Sequence, residues 1–330
     1  MVADHQPDSA HGISEDTAPS VPLSIYPLAA FAGTRPPAPQ WFTEAIDCSP
    51  QRSFVTIEGA AIETLSWGDA ETPGIMLVHG YSAHAGWWRH IAPLLATDHH
   101  VVALSWSGMG GSDWRELYET ACTSREIEGA MRAHGMLREG RRPLVVAHSM
   151  GGAPSIMLAD RLGEALAGVM TLDSPLRIKA RLRGLGKGRS ASHARYANLA
   201  DALARFRYHP PPRHDAPWIA DLFARGGLAE RQDGDGNTYW QWRFDPKALD
   251  KTEIAATANL IHTLRCPAVI AMAAQSNVMT ARWRAEITQR MRADMPLITI
   301  DDCSHQILTD QPLALVAKLR QLIGTLFFLS

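Results

Sequence analysis

The sequence predicts an α/β fold in which a mostly parallel central sheet is flanked by helices. Short apolar runs alternate along the chain with stretches of helical periodicity, a pattern typical of parallel strands joined by crossover helices. The runs show no polar alternation, as expected for strands that are covered on both faces. Of the 330 residues, 46% are hydrophobic, which is enough to bury one large core.

The elements can be assigned in chain order. The predicted strands are GIMLVHG (74–80), HVVALSW (100–106), PLVVAHS (143–149), AGVMTLDS (167–174), PAVIAMAA (267–274) and PLITIDD (296–302). Helical patterns lie between them in RHIAPLLA, SREIEGAMRAHGML, GAPSIMLADRLGEAL and RWRAEITQRMRA. Because strands and helices alternate, a layered sheet with helices on both faces is expected.

Three departures from this alternation define the predicted domain organisation. Residues 1–40 are rich in Pro, Ala, Ser and Asp without periodicity, and they are predicted to be a flexible lead-in. Residues 41–173 and 266–330 form the predicted core. Between them, residues 174–265 contain two helical patterns and the strand-like NTYWQWRF, which predicts an inserted subdomain.

Charge and composition exclude several classes of partner. With 32 basic and 34 acidic residues the formal charge is −2, so no nucleic-acid or anionic-membrane partner is expected. The first 20 residues lack the basic and apolar regions of a signal peptide, and no segment reaches 18 uninterrupted apolar residues. Four dispersed cysteines favour reduced thiols. A cytoplasmic protein is predicted, and its oligomeric state is left open.

The stretch PLVVAHSMGG (143–152) is the first candidate for chemistry. Ser149 lies between a predicted strand and a predicted helix, on a turn that would hold its hydroxyl outward. The small residues Ala147, Gly151 and Gly152 allow the helix to begin close to the strand, as a nucleophile elbow requires. Ser149 is therefore the predicted nucleophile.

Four motifs in a fixed order extend this prediction to a family. They are LVHGYSAHAGWW, VALSWSGMGGSDW, AHSMGG and DDCSHQILTDQP. Together they resemble the α/β-hydrolase fold family, with Ala147 in place of the usual first glycine of the elbow. The resemblance covers roughly residues 50–330. It implies that residues 174–265 form a helical cap over the active site.

The resemblance also implies the oxyanion hole. The backbone N–H groups of Met150, after the nucleophile, and Tyr81, in the His-Gly turn, are the expected donors to the developing negative charge. We expect His79 to brace these loops by hydrogen bonds rather than to transfer protons.

His305 is the predicted general base, because it alone among 14 histidines follows the last predicted strand and precedes a terminal helix. The acid is harder to assign. Relatives often place an aspartate after the penultimate strand, where this chain has Ala274 and Asn277. Asp173, at the end of the strand after the elbow helix, is the predicted acid, with Asn277 as the alternative partner of His305.

A serine nucleophile predicts acyl chemistry, because haloalkane or epoxide opening through an alkyl-enzyme needs a carboxylate at that position. The predicted activity is hydrolysis of a carboxylic ester or related apolar acyl substrate. There are two alternatives. One is an acyltransferase with the same triad, and the other is a ligand receptor that has lost catalytic activity.

Aromatic residues are candidates for the substrate pocket. Trp240, Trp242 and Phe244 share one face of a predicted strand, and Trp106 lies at the end of a core strand. Trp240, Trp242 and Trp106 are predicted to bind substrate, with packing as the competing interpretation. No metal or cofactor is predicted: DGDGN (233–237) lacks the glycine and glutamate of a calcium loop and predicts a hairpin turn, and GMGGS (108–112) lacks the P-loop lysine.

Overall fold

The computed structural model describes residues 25–180 and 192–327. The strands in these residues are β1 (Gln51–Ile57), β2 (Ala60–Trp67), β3 (Gly74–Val78), β4 (His100–Ser105), β5 (Tyr118–Glu119), β6 (Leu144–His148), β7 (Gly168–Leu172), β8 (Leu228–Gln232), β9 (Thr238–Trp242), β10 (Thr252–Glu253), β11 (Ala268–Ala273) and β12 (Leu297–Ile300). The α-helices are α1 (Gln40–Asp47), α2 (Ala92–Leu95), α3 (Thr120–Ala133), α4 (Gly152–Leu162), α5 (Leu199–Leu203), α6 (Pro217–Gly226), α7 (Ala248–Lys251), α8 (Ala281–Thr288), α9 (Ile307–Asp310) and α10 (Pro312–Leu322).

Eight of these strands form one sheet in the order β1-β2-β4-β3-β6-β7-β11-β12. β2 pairs antiparallel with β1 and with β4, and the remaining pairs are parallel. The predicted α/β class and mostly parallel sheet are therefore confirmed. The six strands β4, β3, β6, β7, β11 and β12 run in the same direction. The loops that follow their carboxyl ends therefore come together at one edge of the sheet, although they are distant in the chain.

The core lies on both faces of this sheet. Along β3, Ile75 and Leu77 belong to one buried apolar cluster, while Met76 and Val78 belong to another on the opposite face. This alternation follows from the two-residue period of a strand and explains the continuous apolar runs of the sequence. A third, smaller cluster contains Trp106, Met109, Tyr118 and Ala248.

In its described residues, the segment predicted to be an insertion (174–265) contains the elements α5 to β10. β8 and β9 pair as an antiparallel hairpin around the DGDGN turn, as predicted. β10, which lies in the insertion, pairs in parallel with β5 of the core. Thr252 lies opposite Tyr118, and Glu253 lies opposite Glu119. The insertion is thus attached to the core by backbone hydrogen bonds as well as by side chains.

The lead-in differs from the prediction over its described part, residues 25–39. Leu28 is 2% exposed and belongs to the same buried cluster as Phe42. Arg225 of α6 donates from Nη2 to the carbonyl of Gly33 at 2.7 Å. The described part of the lead-in therefore contacts the rest of the chain at Leu28 and Gly33, although it has no periodic pattern. Residues 1–24 lie outside the described part of the chain.

No helix in residues 25–180 and 192–327 combines the length and apolar character that crossing a bilayer requires.

Candidate active site

Ser149 lies on a sharp turn between β6 and α4. Its φ of +53° is in the left-handed region, which a residue with a side chain adopts only at a cost of about 1–3 kcal/mol. The next residues explain why the turn needs glycine: a Cβ on Gly151 would lie 2.5 Å from the carbonyl oxygen of His79. The predicted elbow geometry is present, and the strained backbone presents the Ser149 hydroxyl away from the sheet.

The three residues predicted to act together are in hydrogen-bond contact. Nε2 of His305 lies 2.8 Å from Oγ of Ser149, and Nδ1 of His305 lies 2.7 Å from Oδ2 of Asp173. These residues follow β12, β6 and β7, so the parallel sheet brings their loops to one edge. His305 is 5% exposed and Asp173 is fully buried.

Asp173 is held as a carboxylate by its surroundings. Burial, the strongest influence, acts to raise its pKa, but hydrogen bonds from His305 and Ser276 and from the backbone of Ala273 together bring the pKa below the usual value. The Ala273 N–H donates to Oδ1 at 3.0 Å, and the Ser276 hydroxyl donates to Oδ2 at 2.5 Å. An ionised carboxylate at this place can fix the imidazole and stabilise its protonated form.

Ser276 is a site residue that sequence reasoning missed. Its Oγ accepts hydrogen bonds from the backbone N–H groups of Val278 and Met279, which leaves its proton for Asp173. Asn277, the alternative partner considered for His305, is instead exposed. The two ring nitrogens of His305 are hydrogen-bonded to Asp173 and Ser149 instead.

Two buried histidines brace the loops around Ser149. As expected for a brace, His79 donates from Nδ1 to the carbonyl of Gly80 at 2.6 Å and accepts the Trp106 N–H at Nε2. His148 donates from Nε2 to the carbonyl of His305 at 2.9 Å. Burial lowers the pKa of each to about 3, so both stay neutral at physiological pH.

The loop after β3 approaches Ser149 closely. A Cβ on Gly80 would lie 2.9 Å from Cβ of Ser149, so this position needs glycine. Tyr81 follows Gly80, Met150 follows Ser149, and both line the cavity at Ser149. The two residues predicted to supply oxyanion donors are therefore neighbours of the nucleophile, next to the N-terminal end of α4.

A cavity of about 300 Å³ opens above Ser149. The core contributes Tyr81, Trp106, Met109, Tyr118 and Met150, and the insertion contributes Pro175, Arg177, Leu249, Glu253 and Ile254, among others. Most of these side chains are apolar, and the volume is within the range of small-molecule sites.

The aromatic residues predicted to bind substrate fall into two groups. Trp106 lines the cavity. Trp240 and Trp242 do not belong to its lining: they are half-buried on the β8–β9 hairpin and pack against the main apolar cluster. Their assignment to substrate binding is corrected to packing, because the insertion turns their shared face toward the core.

With this geometry established, comparison with known proteins identifies the family. The model of the alpha/beta hydrolase family matches residues 75–319. The chain belongs to the alpha/beta hydrolase family. The predicted fold family and the prediction of a hydrolase are thereby confirmed.

This alpha/beta hydrolase is similar in sequence or structure to several named proteins. Esterase Rv0045c of Mycobacterium tuberculosis is 24% identical over 276 residues, which cover 82% of this chain and 88% of the relative. Epoxide hydrolase 3 of Xenopus tropicalis is 24% identical over 159 residues, 46% of this chain and 42% of the relative. Among solved structures, the thioesterase domain from the curacin biosynthetic pathway has a TM-score of 0.67 at 17% identity, covering 82% of this chain and 99% of that one.

Proposed function

We propose that this alpha/beta hydrolase is a serine esterase that cleaves an apolar carboxylic ester through an acyl-enzyme on Ser149. The observation that carries the proposal is the continuous hydrogen-bonded path from Asp173 through His305 to Ser149 at the floor of a mostly apolar cavity. The similarity to an esterase over 88% of that relative's length supports the same class of substrate.

In the proposed mechanism, Oγ of Ser149 attacks the ester carbonyl carbon while its proton passes to Nε2 of His305. The carbonyl π electrons move to oxygen, and the backbone N–H groups of Tyr81 and Met150 stabilise that oxyanion. Collapse of the intermediate breaks the bond to the alcohol oxygen, which takes the proton from His305. Water then attacks the acyl-enzyme by the same sequence of proton transfers and releases the acid.

Asp173 acts on His305 rather than on substrate. Its carboxylate keeps the Nδ1 proton in place, so that Nε2 faces Ser149 as an acceptor, and it stabilises the imidazolium that forms during attack. The insertion acts as a cap, because its residues Leu249, Glu253 and Ile254 close one wall of the cavity. Opening of an epoxide through an alkyl-enzyme is disfavoured, because that chemistry needs a carboxylate where this chain has Ser149.

The proposal is tested by steady-state hydrolysis of p-nitrophenyl butyrate. We expect turnover by the wild-type enzyme and a loss of several orders of magnitude in Ser149→Ala and in His305→Ala, with both variants folded. An acyltransferase would release p-nitrophenol with water only slowly and would be accelerated by an added alcohol or thiol acceptor. Absence of any release by the folded wild type, with or without acceptor, would contradict the proposal.

A further inference from the structure

The loop that carries His305 is joined to the insertion by one buried carboxylate, that of Asp310. Oδ1 of Asp310 accepts the backbone N–H groups of Arg213 and His214 at 2.8 and 2.9 Å. Oδ2 accepts the backbone N–H and the hydroxyl of Ser304 at 2.8 and 2.7 Å. Ser304 immediately precedes His305, so Asp310 connects the base of the proposed triad directly to the insertion.

The sequence of the insertion explains why these donors come to Asp310. Pro210, Pro211 and Pro212 have no backbone N–H, so Arg213 and His214 supply the first donors after the prolines. The proline carbonyls face the same loop: Pro210 accepts from Nε2 of Gln306 at 2.9 Å. The proline segment and the His305 loop thus form one hydrogen-bonded unit with Asp310 at its centre.

Each carboxylate oxygen of Asp310 accepts two hydrogen bonds, so the side chain needs an acceptor atom at both positions. Asp310 is 7% exposed and Ser304 is 4% exposed, so water does not readily replace a lost partner. A carboxylate is acceptor-only, whereas an asparagine must place an NH₂ group toward one of the two donor pairs. Asn at this position would therefore release either Ser304 or the 213–214 segment while changing the side-chain volume little.

We infer that Asp310 is a positioning residue that sets the place of His305 relative to Ser149 by fixing Ser304 to the insertion. The inference rests on the proposed function. The contact between Nε2 of His305 and Oγ of Ser149 is 2.8 Å, and displacement of a reacting group by about 1 Å can cost about 100-fold in rate. Asp310 itself is not among the residues that line the cavity, and its hydrogen bonds go to Ser304, Arg213 and His214.

The chain offers a matched control in Asp302. Its carboxylate joins the same two segments, lying 3.4 Å from Nε of Arg213 and 3.0 Å from Nε2 of His214, but its side chain is 56% exposed. Exposed contacts of this kind contribute about 0–1 kcal/mol. Asp302 also has a φ of +49°, which asparagine tolerates well, so Asp302→Asn is a benign substitution.

The experiment compares Asp310→Asn, Asp302→Asn and the wild type by kcat and KM for p-nitrophenyl butyrate. A second readout is the low-field ¹H NMR resonance of the proton between His305 and Asp173, assigned by its loss in Asp173→Asn. For Asp310→Asn we expect kcat to fall about tenfold or more, KM to change by less than about threefold, and the resonance to shift or broaden. For Asp302→Asn we expect a kcat within about twofold of wild type and an unchanged resonance.

An Asp310→Asn enzyme with wild-type kcat and resonance would overturn the inference, as would equal losses in both variants. If Asp310→Asn does not fold, Ser304→Ala decides the question. It removes the 2.7 Å hydroxyl bond to Asp310 and the longer contacts of the same hydroxyl with the Gln306 N–H and the Pro211 carbonyl, but it keeps the backbone N–H bond to Asp310. About a fivefold fall in kcat is expected, and no fall would overturn the inference. A folded wild type that releases no p-nitrophenol contradicts the proposed function instead, so the two failures are distinguishable.

Discussion

Asp173 and His305 are separated by 132 positions in the chain, yet Oδ2 of the aspartate lies 2.7 Å from Nδ1 of the histidine. Asp173 follows β7 and His305 follows β12, with β11 between those strands in the sheet. The acid therefore comes from the end of β7, the strand beside β11, while the position after β11 is occupied by Asn277. The carboxylate is fully buried and accepts three hydrogen bonds, from Ala273, Ser276 and His305.

Replacement of this carboxylate tests its role. Asp173→Asn should lower kcat by roughly three to four orders of magnitude, because the amide neither fixes the Nδ1 proton nor stabilises the imidazolium. Ester hydrolysis by purified, folded variant measures the effect. A loss of less than about tenfold would remove Asp173 from the catalytic group.

The hydrogen bond from Ser276 to Asp173 provides a finer test. Ser276→Ala should lower kcat by roughly fivefold, equivalent to about 1 kcal/mol, because Oδ2 loses the hydroxyl that orients it toward His305. The exposed neighbour is the control: Asn277→Ala should stay within about twofold of wild type. If the Asn277 variant were the slower of the two, the orientation of His305 would depend on Asn277.

The sequence predicted Ser149 and His305 because their signals are local: a strand, a small-residue turn and a helix mark the first, and a strand end before a terminal helix marks the second. Asp173 was predicted from its strand end and from the family resemblance, because some relatives draw their acid from that position. Ser276 and Asp310 were missed because their roles come from contacts with residues about 100 positions away, which no local pattern encodes.

The sequence also did not predict what each individual element packs against. The two-residue period of β9 correctly placed Trp240 and Trp242 on one face, but it could not say whether that face meets the cavity or the core. The burial of Leu28 in the described lead-in was not predicted, because it comes from tertiary contact rather than from helical or strand periodicity. By contrast, five of the six apolar runs became fully buried strands. The exception is the edge strand β12, where Leu297 is 44% exposed.

The position of the tryptophans predicts where substrate selectivity resides. Trp106→Leu should shift the preferred p-nitrophenyl ester toward longer acyl chains, because it removes part of the cavity wall. Trp242→Leu is the control: its side chain packs against the core near Phe206, so it should lower the thermal midpoint but leave the chain-length profile unchanged. A changed profile in Trp242→Leu alone would return that residue to the substrate site.

Buried neutral histidines predict an acid-sensitive fold. Burial lowers the pKa of His90 to about 4, whereas the unfolded side chain titrates near 6.5, so between these values the unfolded state binds the extra proton. The free energy of unfolding should therefore decrease as the pH is lowered from about 6.5 to about 4. His79, His84 and His148 have pKa values lowered in the same direction and add to the slope.

His90→Gln isolates one of these contributions. Glutamine can still donate to the carbonyl of Leu308, which His90 contacts at 2.8 Å, but it does not titrate. Denaturant unfolding at a series of pH values should give a dependence on pH that is shallower than wild type by up to about 1.4 kcal/mol per pH unit in this window. An identical slope in both proteins would show that His90 is already charged in the folded state or exposed.

The central claim, a covalent acyl-enzyme on Ser149, is tested most directly by intact mass spectrometry after treatment with a fluorophosphonate. The wild-type enzyme should gain the mass of one probe, peptide mapping should place it on Ser149, and Ser149→Ala should gain none, because the strained turn and His305 together activate that hydroxyl. Folded wild-type protein that gains no mass at saturating probe, or an adduct that persists in Ser149→Ala, would contradict the claim.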